Sequence, residues 1–371
     1  MRTHGRGRAA ALMLASALAA GGCSGGTGKA ESPSGPSQPR WGTGEFTGAL
    51  GLCSWITQED LRPLLIEQAQ KTATSSNVDC AWRAEESGTS TDRTLRLVWG
   101  RHEPPSKPGG SATDEARRGF AQPREWRYGA GVPVRGLGDE AKLGRDFTAG
   151  DWGHRVAVAV RARNLVFMVQ ADARSQVESD REWIAPIGDL EAGVLAVARR
   201  ILVRLGVPAA PAPSPPAPRP GETAKPREVC GPLRAAAGRL LRGVRGRTLS
   251  PRGSRSATGC LWERERLRDH LVVSVEVIPP SPATGESATQ VAGGTLSGWH
   301  APGWSRLGTR LGDDALVSRY DSGTARNVEV VVRRANLLVS VSLDRRNGAP
   351  PVRTLENEAV RIAGQVLALH G

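Results

Sequence analysis

Two pairs of neighbouring carboxylates are the first residues in this 371-residue chain with a pattern that suits chemistry. Asp139-Glu140 lies in "LGDEA" and Asp313-Asp314 in "LGDDA". Two acids in one cleft can divide general acid–base work, one giving a proton and the other taking it. Neighbours on a strand point to opposite faces, however. The spacing therefore predicts that the two acids of each pair do not share a site. It assigns them to a strand start behind a glycine turn.

Other reactive types are scattered. His4, His102, His154, His270, His300 and His370 include no pair at HExxH or similar ligand spacing. His102 beside Glu103 would need a distant third ligand to hold a cation. "GGTGKA" (25–30) fails as a phosphate loop, because Cys23 stands where the first glycine belongs and Ala30 where Ser or Thr would hold magnesium. No G-x-S-x-G follows a strand pattern as a nucleophile elbow requires, and no S-x-x-K is present. The sequence thus predicts no catalytic residue, no metal site and no cofactor.

The five cysteines are more informative. "MRTHGRGR" is a basic start, residues 10–20 are a run that is apolar but for Ser16, and "GGC" ends at Cys23. Those are the parts of an export signal over residues 1–22. The run is shorter than the ~20 residues that cross a bilayer. "AGGC" (20–23) resembles a bacterial lipobox, with Ala20 where Leu is commoner. The resemblance implies diacylglyceryl transfer to the Cys23 thiol and cleavage before it. Residues 23–43, rich in Gly, Ser and Pro, are then a flexible lipid tether. Cys53, Cys80, Cys230 and Cys260 remain, an even set that reads as a disulfide framework in an exported chain, with three possible pairings.

Two stretches state the architecture. "VAVAVRARNLVFMVQAD" (156–172) and "VEVVVRRANLLVSVSLD" (328–344) are near-copies. Each is a hairpin of alternating β-branched residues around a polar turn that ends in Asn164 or Asn336. Around each hairpin the same features recur in order. A Cys leads into a helical pattern, and a second Cys is followed by x-Trp, in "CAWR" and "CLWE". A strand ends at a Pro pair, and the Gly-Asp-acid-Ala start follows. A closing helix carries apolar residues at offsets 0, 4, 7, 8, 11 and 12, from Leu190 and from Leu355. The predicted fold class is α+β. Two tandem similar domains, 44–206 and 229–371, each hold an antiparallel sheet, an N-terminal and a C-terminal helix, and one internal disulfide. Duplication selects Cys53–Cys80 and Cys230–Cys260. Residues 207–228, with eight Pro, form the linker, read as a semi-rigid polyproline spacer of roughly 40 Å.

Charge separates the copies. Residues 41–206 hold 22 basic and 22 acidic side chains, whereas 229–371 hold 20 Arg against 12 acids. Such a surface can meet an anionic wall polymer or lipid head, or can be merely solvated. An exported chain does not meet nucleic acid. Trp299 and Trp304 in "GWHAPGW" are candidate partner contacts, or part of a loop packed on its own core.

The lipobox, the Cys–helix–Cys-x-Trp order and the "GLGDEA" strand together resemble a family of actinobacterial cell-envelope lipoproteins catalogued as a domain of unknown function. The resemblance covers both copies. It implies a place on the outer face of the cell membrane, held by an N-terminal lipid anchor, and implies no catalytic residue. The expected role is a non-catalytic binding, sensory-accessory or scaffolding module whose partner is an envelope protein, lipid or anionic polymer. The alternatives are a carrier of a small apolar or lipid ligand between helix and sheet, and a cell-wall hydrolase.

Overall fold

Alternating Val, Leu and Ala in each half build one seven-stranded antiparallel sheet. The computed structural model describes residues 43–48, 50–64, 70–73, 79–85, 91–105, 110–121, 131–148, 153–175, 186–211, 213–241, 244–249, 256–264, 269–297, 303–346 and 348–371. The first sheet comprises β1 (Gln70–Ala73), β2 (Asp79–Glu85), β3 (Thr91–Arg101), β4 (Val132–Pro133), β5 (Glu140–Thr148), β6 (Gly153–Ala162) and β7 (Leu165–Ser175), ordered β1-β2-β3-β7-β6-β5-β4. The second comprises β8 (Arg245–Leu249), β9 (Ala257–Arg264), β10 (Asp269–Val277), β11 (Trp304–Arg306), β12 (Asp314–Asp321), β13 (Ala325–Arg334) and β14 (Leu337–Arg346), ordered β11-β12-β13-β14-β10-β9-β8. In both, the third strand pairs with the seventh, so the near-copied hairpin lies inside the sheet.

Among the described residues, six α-helices complete the α+β fold: α1 (Gln58–Leu61), α2 (Ala112–Ala121), α3 (Ile187–Arg204), α4 (Cys230–Leu241), α5 (Ala288–Ser297) and α6 (Val352–His370). The apolar stripes of α3 and α6 are buried on β6–β7 and β13–β14. Each large aliphatic side chain so buried stabilises by about 1.5–3 kcal/mol. None of the described helices is long and apolar enough to cross a membrane.

The first helices differ between the halves. α4 is twelve residues long and begins at Cys230. Its counterpart is a 3-10 turn (Leu52–Trp55), an extended Ile56, the four residues of α1 and a second 3-10 turn (Arg62–Leu64). Thr57 does cap α1, sharing a capping box with Asp60. Pro63, with no N–H to give, accounts for the early end. The single helix expected after Cys53 is therefore broken.

The disulfides are Cys53–Cys80, with Cα atoms 6.0 Å apart, and Cys230–Cys260, at 5.3 Å. Each ties the first helical segment to the second strand. Trp82 and Trp262, two residues past the strand Cys on the same inward face, are buried beside the bridges. Disulfides point to an oxidising, extracytoplasmic environment.

The halves are not held apart as a stiff spacer implies. Residues 39–371 form one compact unit. Ile278, Ala283, Val291, Ala292 and Leu338 of the second half join the first core. The linker is docked near both ends. Ala209 bridges to Leu137 and Ala210 N donates to Gly136 O, while Thr223 exchanges two hydrogen bonds with the Asn336 side chain.

Candidate functional site

The paired acids converge after all. Arg161 of β6 donates through Nη1 to Asp139 Oδ2 (2.9 Å) and through Nη2 to Glu140 Oε1 (2.8 Å). Arg333 of β13 reaches Asp313 Oδ2 (2.9 Å) and Asp314 Oδ2 (2.7 Å) in the same way. The prediction of separate faces fails for a local reason. Asp139 and Asp313 precede their strands, behind Gly138 and Gly312 at φ +64° and +67°, so strand alternation does not yet apply. A Cβ on either glycine would run into the backbone oxygen of Arg161 or Arg333. These arginines are strand residues, not solvated turn residues, and only 5% of the Arg161 side chain is exposed. The acids thus brace the hairpin tip and are not free for proton transfer.

The turn asparagines also have a different task. Arg163 and Ala335, one residue earlier, adopt the left-handed conformation, at φ 55° and 51°. Asn164 and Asn336 are buried and clamp the segment that precedes each cysteine. Asn164 accepts from Phe46 N and donates to Phe46 O and His102 O. Asn336 accepts from Thr223 N and donates to Thr223 O and Ile278 O. One residue earlier in each clamped segment, Glu45 takes two hydrogen bonds from Thr113, and Glu222 takes two from Thr289. The sequence reading missed this set. Its signals are Gly-Glu eight residues before each Cys and the repeated "SAT" at 111 and 287.

A buried charge cluster lies where the halves meet. Arg145 of β5 donates to Glu191 of α3 and to Glu286 before α5, both at 2.8 Å. Ser281 donates to the other oxygen of Glu191. Burial works against the Arg145 charge, but the two carboxylates outweigh it and hold the guanidinium above its ordinary value. Nearby, His154 pairs with Glu276 (3.0 Å), whose second oxygen accepts from Ile187 N at the start of α3. In the second half, Arg319 of β12 binds Glu356 of α6. The Arg319 hydrogen bond holds that carboxyl below its ordinary range, with burial opposing.

The remaining predicted sites divide three ways. Cys23 and Trp299 lie outside the described residues. Trp304 is half-buried against Leu296, Leu316 and Val331. Among the described residues no three His, Cys, Asp or Glu are grouped to hold a metal. Burial lowers the pKa of His102, and Glu103 pairs with Arg101, so those neighbours form no joint site.

Among the described residues, two open hollows adjoin the second half. One of about 510 Å³ adjoins the end of α6, where Arg227 and Arg334 donate to the Leu369 and Leu367 carbonyls and so cap the helix. The other, of about 280 Å³, lies between α5 and the chain from Arg306 to Leu316.

No protein-family model matches the chain, and no curated protein matches it. Among solved structures, the di-domain ARO/CYC StfQ from the steffimycin biosynthetic pathway is 9% identical over 83% of this chain and 91% of its own, with a TM-score of 0.17. DynU16, a putative protein in the dynemicin biosynthetic locus, is 11% identical over 86% and 93%, also at 0.17. The tesB protein of Mycobacterium avium subs paratuberculosis is 12% identical over 78% and 99%, at 0.14. At such TM-scores the likeness carries no argument.

Proposed function

We propose that the chain is a lipid-anchored, extracytoplasmic binding or scaffolding module made by duplicating one α+β unit. The observation that carries this reading is the pair of disulfides, each closed within its own half between the first helical segment and the second strand. It favours an oxidising compartment, and so lends weight to Cys23 as the acylated residue. Duplication draws support from equivalent contacts. The acid–arginine brace, the asparagine clamp and the Glu–Thr pair recur at matching positions. Their charged groups serve the fold, which favours a non-catalytic role. The resemblance to envelope lipoproteins points the same way, with an envelope protein, a lipid or an anionic wall polymer as partner.

The carrier reading changes place. Between closing helix and sheet each half is filled, with Leu190, Val194, Ala359 and Ile362 at 1% exposure or less. A ligand would instead use the open cleft beside α5. The deciding experiment feeds cells an alkyne fatty acid and follows the chain. Label on the wild type, lost with membrane retention in Cys23→Ser, supports the anchor. Unlabelled protein in the medium overturns it.

A further inference from the structure

The cleft beside α5 has an apolar floor and a cationic rim. Leu296 and Leu316 are buried in its floor, and Trp304 packs against the small cluster they form with Val331. Arg306 and Arg310 stand exposed at its rim, and neither guanidinium has a hydrogen bond or ion pair among the described residues. Asp313 and Asp314 also line it, and Arg333, which binds both, cancels one of their two charges, against two positive charges on Arg306 and Arg310. The net charge of the group is therefore +1, and the two arginines at the rim are its unpaired members among the described residues.

At the matching place in the first half, the described side chains contact one another. Matching the two "SAT" segments puts Arg117 at the position of Gly293 and Phe120 at that of Leu296. Matching the Gly-Asp starts puts Lys142 at Leu316. The Lys142 ammonium lies 5.2 Å from the Phe120 ring centre and donates to the Phe120 carbonyl, and Arg117 reaches Glu140 at 3.7 Å. In α5 a Cβ on Gly293 would meet nothing within 4 Å. A glycine inside a helix costs stability relative to alanine. Here no tight contact demands one, and its effect is to leave the cleft open.

We infer that this cleft binds a small amphiphilic anion, with a carboxylate or phosphate head between Arg306 and Arg310 and a short apolar tail on Leu296, Leu307 and Leu316. At ~30 Å³ per water-sized group, the space takes about nine non-hydrogen atoms, a head and its first carbons. Guanidinium groups suit such heads because their fork of N–H donors matches two oxygens. The same head occurs on a free acid and on a membrane lipid. The inference rests on reading the chain as a binding module.

The test is calorimetry on the full disulfide-bonded chain with octanoate and hexyl phosphate. One saturable site per chain is expected, weakened by rising salt. Arg306→Gln with Arg310→Gln should weaken it about tenfold or more, as loss of charge-assisted hydrogen bonds does. Gly293→Phe should abolish it by filling the cleft. Should Gly293→Phe fail to fold, the arginine pair, being exposed, still decides. Octanol and inorganic phosphate should each bind at least about tenfold more weakly, since each lacks one half of the contact. No saturable binding, binding unchanged in the arginine pair, or inorganic phosphate matching hexyl phosphate would each overturn the inference. A vesicle arm with Cys23→Ser protein separates the sources. Capture by anionic phospholipid vesicles, lost in the cleft variants, supports a lipid head; binding of free amphiphile alone supports a free acid. A chain that fails these tests yet takes the fatty-acid label at Cys23 loses the cleft and keeps the module reading.

Discussion

Arg145 and Arg319 occupy the same position in β5 and β12, and each binds the glutamate that follows a leucine in its closing helix, Glu191 or Glu356. In the first half the two side chains are 5% and 8% exposed; in the second they are 40% and 18% exposed. The difference comes from the neighbour. The second half delivers Glu286 and Ser281 onto the first pair, and among the described residues nothing equivalent covers Arg319, which turns to Ser305 instead. One repeated ion pair has become an internal junction in one half and a surface brace in the other. Its chemistry is constant, so burial alone sets its energetic role.

The largest expected effect comes from breaking the covered member. Arg145→Met should lower stability by about 3–5 kcal/mol, because Glu191 and Glu286 stay buried without a cation. Arg319→Met should cost no more than about 1 kcal/mol. Urea denaturation of both variants makes the comparison. Replacing Arg145, Glu191 and Glu286 together by apolar residues should regain much of the loss, since no charge is then left buried. Equal losses in the two single variants would mean that the junction is wet and the halves are not sealed together.

A second substitution sharpens the comparison by touching what the halves share. Gly138→Ala and Gly312→Ala each place a Cβ against a backbone oxygen at a left-handed φ. Each should cost about 1–3 kcal/mol, the strain of such a backbone, with any added clash equal in both halves. Thermal melting of the two single variants tests the equality. A loss confined to one half would show that the acid–arginine brace is needed only there.

Much of this fold was legible in the sequence, because local rules govern it. Period-2 Val and Leu give the hairpins, and period-3.6 stripes from Leu190 and Leu355 give the closing helices that pack on them. Duplication picked the disulfide partners. The site was less legible. Alternation misplaced Asp139 and Asp313 because one glycine turn separates them from their strands. Trp299 and Cys23 stayed outside what the structure describes. The Arg145–Glu191–Glu286 cluster joins residues 46 and 141 positions apart. No periodicity reports such a contact, which depends on how one half sits against the other. The cleft was hidden similarly, for it arises where Gly293 and Leu316 replace Arg117 and Lys142, and only the paired helices make that substitution visible.

The smallest expected effect is the acid behaviour of the exposed pair. The Arg319 hydrogen bond holds the Glu356 carboxyl below its ordinary range, while burial acts against it and the Arg319 and Arg353 charges add to it. A folded pKa below the unfolded one makes the contribution present above the unfolded value and lost as pH falls through the folded value. Because 40% of Arg319 is exposed, solvent screens the pair and the contribution stays within about 1 kcal/mol. The stability gap between wild type and Arg319→Met should therefore be full near pH 7 and close as pH falls below the ordinary glutamate range. It should also narrow in about 1 M salt, where screening lengths fall to ~3 Å. A gap that survives both acid and salt would assign the brace to the packed hydrocarbon stem of Arg319 and not to its charge. The two halves would then differ in the kind of contact they use and not only in its burial.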